Sequence, residues 1–136
     1  MKKYLFFFIL FFDMHFAYSQ SSASEDYFNK GFEKTKQKDF DAALTDLNKT
    51  IELDSTHIKA YYNRGKVKAQ LQDYSGAISD FNKVIKMYPI YSKAYNFRGI
   101  SKAEMEDYSG ALVDFDKAIS LDSNYGEAYS CRALIK

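Results

Sequence analysis

The chain has 136 residues, with 19 Lys or Arg against 18 Asp or Glu and a formal net charge of +1. That balance excludes both the basic footprint of a nucleic-acid binder and the acidic excess of a solvating tail. Its one cysteine, Cys131, rules out an internal disulfide, and with histidines only at positions 15 and 57 the chain lacks the clustered ligands of a zinc site.

Residues 1–19 form a separate object. Lys2 and Lys3 precede an unbroken apolar run from Tyr4 to Phe12, which Asp13 ends. Such a run is too short to cross a hydrocarbon layer of about 30 Å, which needs roughly 20 residues. Ala17 and Ser19 are small residues at the third and first places before Gln20, the pattern a signal peptidase reads. The expectation is a secretory signal cleaved between Ser19 and Gln20. The mature chain is then exported to a periplasmic or extracellular setting, with no stable membrane insertion. Removing Lys2, Lys3 and Asp13 takes the charge counts from 19 and 18 to 17 and 17. Residues 20–23 read as a polar leader, and Ser22 with Glu25 three positions later is the spacing of a capping box opening the first helix.

The remainder repeats with a step of 34 residues. Gly31, Gly65 and Gly99 are related by it, as are Asp39, Asp73 and Asp107. A constant period of this size indicates stacked units that share a core between neighbours. The best-formed unit is residues 58–91. Tyr61, Gly65, Lys68 through its aliphatic stem, Ala69 and Leu71 recur at helical spacing. After the polar break at Asp73, a second helical period runs through Ala77, Ile78, Phe81, Val84, Ile85 and Met87 until Pro89 ends it. Asp73 suits a helix N-terminus. Glycine inside a helix costs about 1 kcal/mol relative to alanine, so its recurrence requires a packing reason. The large residues Leu47, Phe81 and Phe115 of the second helices supply one, small opposite large. The recurring Asp46, Asp80 and Asp114 are expected to pair with neighbouring cations such as Arg64 and Arg98.

These residues resemble the tetratricopeptide repeat pattern. Residues 24–57 match through Tyr27, Gly31, Ala43 and Leu47, with Thr50 in place of Ala and Ser55 in place of Pro. Residues 58–91 match through Tyr61, Gly65, Tyr74, Ala77, Phe81 and Pro89. Residues 92–125 match through Tyr95, Gly99, Tyr108, Ala111, Phe115 and Ala118, with Ser123 in place of Pro. Residues 126–136 repeat the opening of a fourth unit through Ala128, Tyr129, Arg132 and Ala133, and stand as a partial repeat or a capping helix. The resemblance implies an all-α fold, a right-handed superhelical solenoid of antiparallel helix pairs.

It also implies function. First helices of this family line a concave groove that holds a protein segment or extended peptide. Carried over by position, the groove residues are Phe28 and Phe32, then Tyr62 and Lys66, then Lys93, Asn96 and Ile100. Two exposed phenylalanines one turn apart, followed by tyrosine and lysines, describe a groove apolar at one end and basic at the other. The subtype that clamps chaperone C-terminal carboxylates places basic and asparagine residues where this chain has Phe28, Phe32, Asn63, Lys93 and Phe97. Only Asn63 and Lys93 fit, so that clamp is not expected.

The sequence contains no glycine-rich phosphate loop, HExxH or GxSxG, so neither catalysis nor a cofactor is expected. His57 reads as a turn or packing residue, and Cys131 as a buried or half-buried thiol. The expected role is an exported protein-binding scaffold. Two alternatives are that the repeats open a longer exported protein whose enzymatic or signalling activity lies beyond Lys136, and that the chain self-associates through the end formed by Tyr129 and Ala133.

Overall fold

The computed structural model describes the backbone of residues 2–135 and the side chains of residues 19–135. The apolar run and the basic pair of the expected signal lie outside the described side chains. Among the described residues seven helices follow one another: α1 Lys2–Lys36, α2 Phe40–Leu53, α3 Ile58–Gln70, α4 Tyr74–Met87, α5 Ser92–Glu104, α6 Tyr108–Leu121 and α7 Gly126–Ile135. No strand occurs among the described residues, and the fold is an all-α solenoid of helix pairs joined by short turns, as antiparallel neighbours require. No helix among the described residues is long and apolar enough to cross a membrane.

The chain divides into two compact units, Met1–His57 and Ile58–Lys136. In the first, α1 pairs with α2. A Cβ placed on Gly31 would lie 3.0 Å from Leu47 Cγ, so the glycine lets the two backbones approach over a buried leucine. Asp46, the buried residue just before Leu47, receives Lys34 at 2.6 Å. Thr50, which replaces alanine, is buried with its hydroxyl donating to Asp46 O at 2.9 Å, so the extra polar group is satisfied within its own helix. The Ser22–Glu25 capping box does not form, because α1 runs unbroken through those residues and offers no free amides there. Ser24 instead donates back to Ser21 O at 2.9 Å.

The second unit repeats the same pairing through α3–α4 and α5–α6, and α7 packs on α6 and α5. Phe81 and Phe115 are fully buried against Gly65 and Gly99, where an added Cβ would come within 2.9 and 2.8 Å of the ring edge. Asp80 is held by Arg64 through Nε and Nη2 at 2.9 and 2.6 Å and by Lys68 Nζ at 2.9 Å. Asp114 is held in the same way by Arg98 and Lys102. Arg98 Nη1 also donates to Asn82 Oδ1, and Arg132 Nη1 to Asp116 Oδ1, both at 2.6 Å. A cation on each of these first helices therefore reaches the second helix of the preceding repeat.

The helix ends recur as well. Asp39, Asp73 and Asp107 cap α2, α4 and α6 by accepting from the backbone amide three residues on, each worth about 1 kcal/mol. Just before each cap, Lys38, Gln72 and Glu106 hold left-handed φ values of 62°, 63° and 65° without being glycine. Two apolar assignments change. Leu71 lies past the end of α3 and is 43% exposed, whereas Val67, outside the expected stripe, is fully buried.

Candidate functional site

In the first unit, Phe28 and Phe32 stand one turn apart on α1 with ring centroids 6.1 Å apart. Only Phe32 is exposed, with Lys36 Nζ 4.5 Å above its ring. Phe28 is buried, 4.8 Å from the His57 ring, which itself meets Glu25 at 3.2 Å. The expectation of two exposed phenylalanines therefore holds for Phe32 alone, because His57 packs on Phe28.

In the second unit, the first helices α3, α5 and α7 carry the remaining residues. Tyr62 is buried rather than presented, enclosed by Phe81, Tyr91 and Phe97 at centroid distances of 6.1, 5.2 and 5.8 Å. That enclosure pushes its phenol far above the ordinary value, with Tyr91, Tyr125 and Glu127 adding to the effect. Lys66 lies over the rings of Tyr62 and Phe97, 5.7 and 5.1 Å from their centroids, and makes no ion pair among the described residues. Asn96 is buried. Its Nδ2 donates to Tyr125 Oη at 3.2 Å, and that hydroxyl donates to Glu127 Oε2 at 3.1 Å. Asn96 Oδ1 is the one fully buried side-chain polar atom among the described residues without a hydrogen-bond partner. Burial first and the Glu127 charge second raise the phenol of Tyr125 and the thiol of Cys131.

Two cavities of about 410 Å³ each open beside these helices. The first is bounded by Lys66, Tyr74, Phe97, Ile100, Glu104 and Glu127. The second is bounded by Ile100, Tyr108, Phe115, Cys131 and Leu134, with Glu104 and Glu106 at its edge. Of the residues expected in the groove, Lys66 and Ile100 line a cavity, Tyr62 forms the floor under Lys66, and Lys93 is exposed at the start of α5 and lines neither. Sequence reasoning missed Tyr74, Glu104 and Glu127. The helical step could have found Glu104, which lies one turn beyond Ile100 on the same face. Tyr74 Oη lies 3.4 Å from Glu104 Oε2.

The two cavities thus bring ion-pairing groups and aromatic faces together beside the first helices. Among the described residues, no set of three or more His, Cys, Asp or Glu is placed to hold a metal ion.

Family comparison agrees with the repeat. The profile described as TPR repeat matches residues 31–72, and that described as tetratricopeptide repeat matches residues 58–91. A search of curated proteins finds no match. Among solved structures, the first TPR of Spaghetti (RPAP3) bound to the HSP90 peptide SRMEEVD is 25% identical with a TM-score of 0.82, over 85% of this chain and 91% of that one. The Arabidopsis OM64 TPR domain is 26% identical with a TM-score of 0.84, over 86% and 97%. The TPR2B domain of yeast Sti1, solved as a complex with pHsp70, is 23% identical with a TM-score of 0.79, over 85% and 97%, and shares the fold. Residues 31–91 thus match tetratricopeptide repeat models, and the chain shares its fold of helix pairs with these solved TPR domains.

Proposed function

We propose that this protein is an exported scaffold that binds an extended segment of another protein along α3, α5 and α7, with no catalytic step of its own. The observation that carries this reading is the pair of cavities beside those helices, whose lining residues Lys66 and Glu104 make no ion pair among the described residues. Unpaired charges beside aromatic faces are the groups that a bound segment can engage. Lys66 and Ile100 contact the partner directly, Tyr62 and Asn96 lie buried behind them, and Lys93 is a further contact; in the first unit, Phe32 is a separate contact. Phe28 supports Phe32 from beneath.

The similar structure solved with an HSP90 peptide supports peptide binding as the mode. Its acidic ligand does not carry over. Phe28, Phe32 and Phe97 stand at three of the five clamp positions, and the Asn63 amide is engaged by its own helix, donating to Lys59 O at 2.8 Å.

Export rests on the basic pair, apolar run and small residues before Gln20. In a chain processed there, α1 would begin near Ser22, and the Ser22–Glu25 capping box would then have free amides to cap. The test of the reading is partner capture from envelope extract by wild type, by Lys66→Glu and by Lys66→Glu with Lys93→Glu. A partner held only by wild type supports the groove, and one held equally by wild type and both variants overturns it.

Self-association is favoured by one observation. Tyr129 and Leu134 of α7 are 42% and 87% exposed. Sedimentation at two concentrations tests this, a constant monomer mass removing it.

A further inference from the structure

The two cavities of the second unit are one notch repeated. A shift of 34 residues carries Lys66 onto Ile100, Tyr74 onto Tyr108, Phe97 onto Cys131 and Ile100 onto Leu134. The same shift carries Gln72 onto Glu106. Each lines its notch, and each holds a side chain at a left-handed position where glycine would be less strained. Geometry is thus shared between the notches while chemistry is not. The first is polar, with Lys66, Glu104 and Glu127. In the second, Lys66 has become Ile100, Phe97 has become Cys131 and Ser101 has become Ile135, which leaves an apolar wall under the carboxylates of Glu104 and Glu106.

Counted together, the notches hold three carboxylates against one ammonium, and none of the four makes an ion pair among the described residues. The ammonium is drawn to the faces of Tyr62 and Phe97, leaving Glu104 and Glu127 available. Asn96 is fully buried behind this wall and lines neither notch. It lies one turn before Ile100 and is linked to Glu127 through the Tyr125 hydroxyl. Neighbouring helices pack about 8–10 Å apart, and an extended chain advances about 3.3 Å per residue. Side chains about three residues apart therefore reach successive notches.

We infer that the groove selects a segment carrying a basic and an apolar side chain about three residues apart, the basic one entering the notch of Glu104 and Glu127 and the apolar one that of Cys131 and Leu134. This rests on the groove reading above and gives it a ligand chemistry opposite in charge to the acidic peptide bound in the similar structure.

The test is fluorescence anisotropy on the purified full chain with short labelled serine-based peptides. Their cores are Lys-Ser-Ser-Leu, the reverse order Leu-Ser-Ser-Lys, Glu-Ser-Ser-Leu and Lys-Ser-Ser-Glu, with SRMEEVD as the acidic reference. One of the two Lys and Leu peptides is expected to bind at least about tenfold tighter than the other designs and than SRMEEVD. Glu104→Gln with Glu127→Gln should weaken it about threefold to tenfold, as two partly exposed ion pairs would. Leu134→Asp should remove the preference for Leu, with circular dichroism verifying that each variant folds. Equal or tighter binding of an acidic peptide, or indifference to the two carboxylates, overturns the inference. So does a dimer that Leu134→Asp dissolves, since a second copy would then occupy the apolar notch. If none of these peptides binds while partner capture still depends on Lys66, the inference fails and the groove reading stands. If capture is also indifferent to Lys66, both fail.

Discussion

Arg64 grips Asp80 through two hydrogen bonds, Nε to Oδ2 at 2.9 Å and Nη2 to Oδ1 at 2.6 Å, while Lys68 closes on Oδ2 from the next turn. The carboxylate is 4% exposed and joins the two helices of one repeat. Asp80→Ala leaves two cations half-buried without their shared anion, and the expected cost is about 3 kcal/mol. Urea unfolding measures it, and a loss below about 0.5 kcal/mol would contradict the pairing role. Partner binding should survive under conditions where the variant stays folded.

Gly65 and Gly126 give opposite outcomes for one substitution. Gly65→Ala gains about 1 kcal/mol of helix propensity but puts a Cβ 2.9 Å from the buried Phe81 ring. Overpacking of this kind costs about 1–3 kcal/mol, so the expected sum is destabilising. At Gly126, where nothing lies within 4 Å, alanine should be neutral or mildly stabilising. Thermal unfolding of the two variants side by side decides it.

Gln72 sits in the left-handed region at φ 63°. Gln72→Gly should raise stability by about 0.5–1 kcal/mol, since relief of a left-handed side chain outweighs the entropy that glycine adds to the unfolded state. If the side chain serves the notch, the same variant should bind the partner segment more weakly. A gain in stability with unchanged binding would confine Gln72 to a purely conformational role.

Burial raises the phenols of Tyr62 and Tyr125 far above the ordinary value near 10. A raised folded value means that their contribution to stability is fully present below pH 10 and is lost as pH rises toward the folded value. Tyrosinate absorbance in an alkaline titration should show a late component that coincides with unfolding. Tyr62→Phe should shrink it, and full ionisation of all tyrosines before any loss of helix would contradict the enclosure.

Cys131 is half-buried, and burial followed by the Glu127 charge holds its thiol above the usual range. Iodoacetamide at pH 8 should modify it more slowly than the same thiol in urea, because the thiolate is the nucleophile. Glu127→Gln should accelerate the reaction in the folded chain.

Residues dictated by the period were legible in the sequence. Gly65 opposite Phe81, the capping aspartates and the Arg64–Asp80 pair all follow from one repeat considered alone. What escaped depends on the next repeat. Tyr62 reads as a groove residue because its position faces inward, yet Tyr91 and Phe97, about 30 residues further on, close over it. Glu127 joins the first notch from the start of α7, a contact that no local pattern announces. The Ser22–Glu25 box was legible as a motif but not as a structure, since a capping box needs a helix end and α1 supplies none there.

The most direct measurement is an amide chemical-shift titration of the isotope-labelled chain with the captured partner segment. Engagement of the groove should shift the amides of Lys66, Ile100 and Glu104 together with those at Cys131 and Leu134, and leave the exposed faces of α4 and α6 unmoved. Shifts confined to those exposed faces, with Lys66 and Ile100 unchanged, would contradict binding along the first helices.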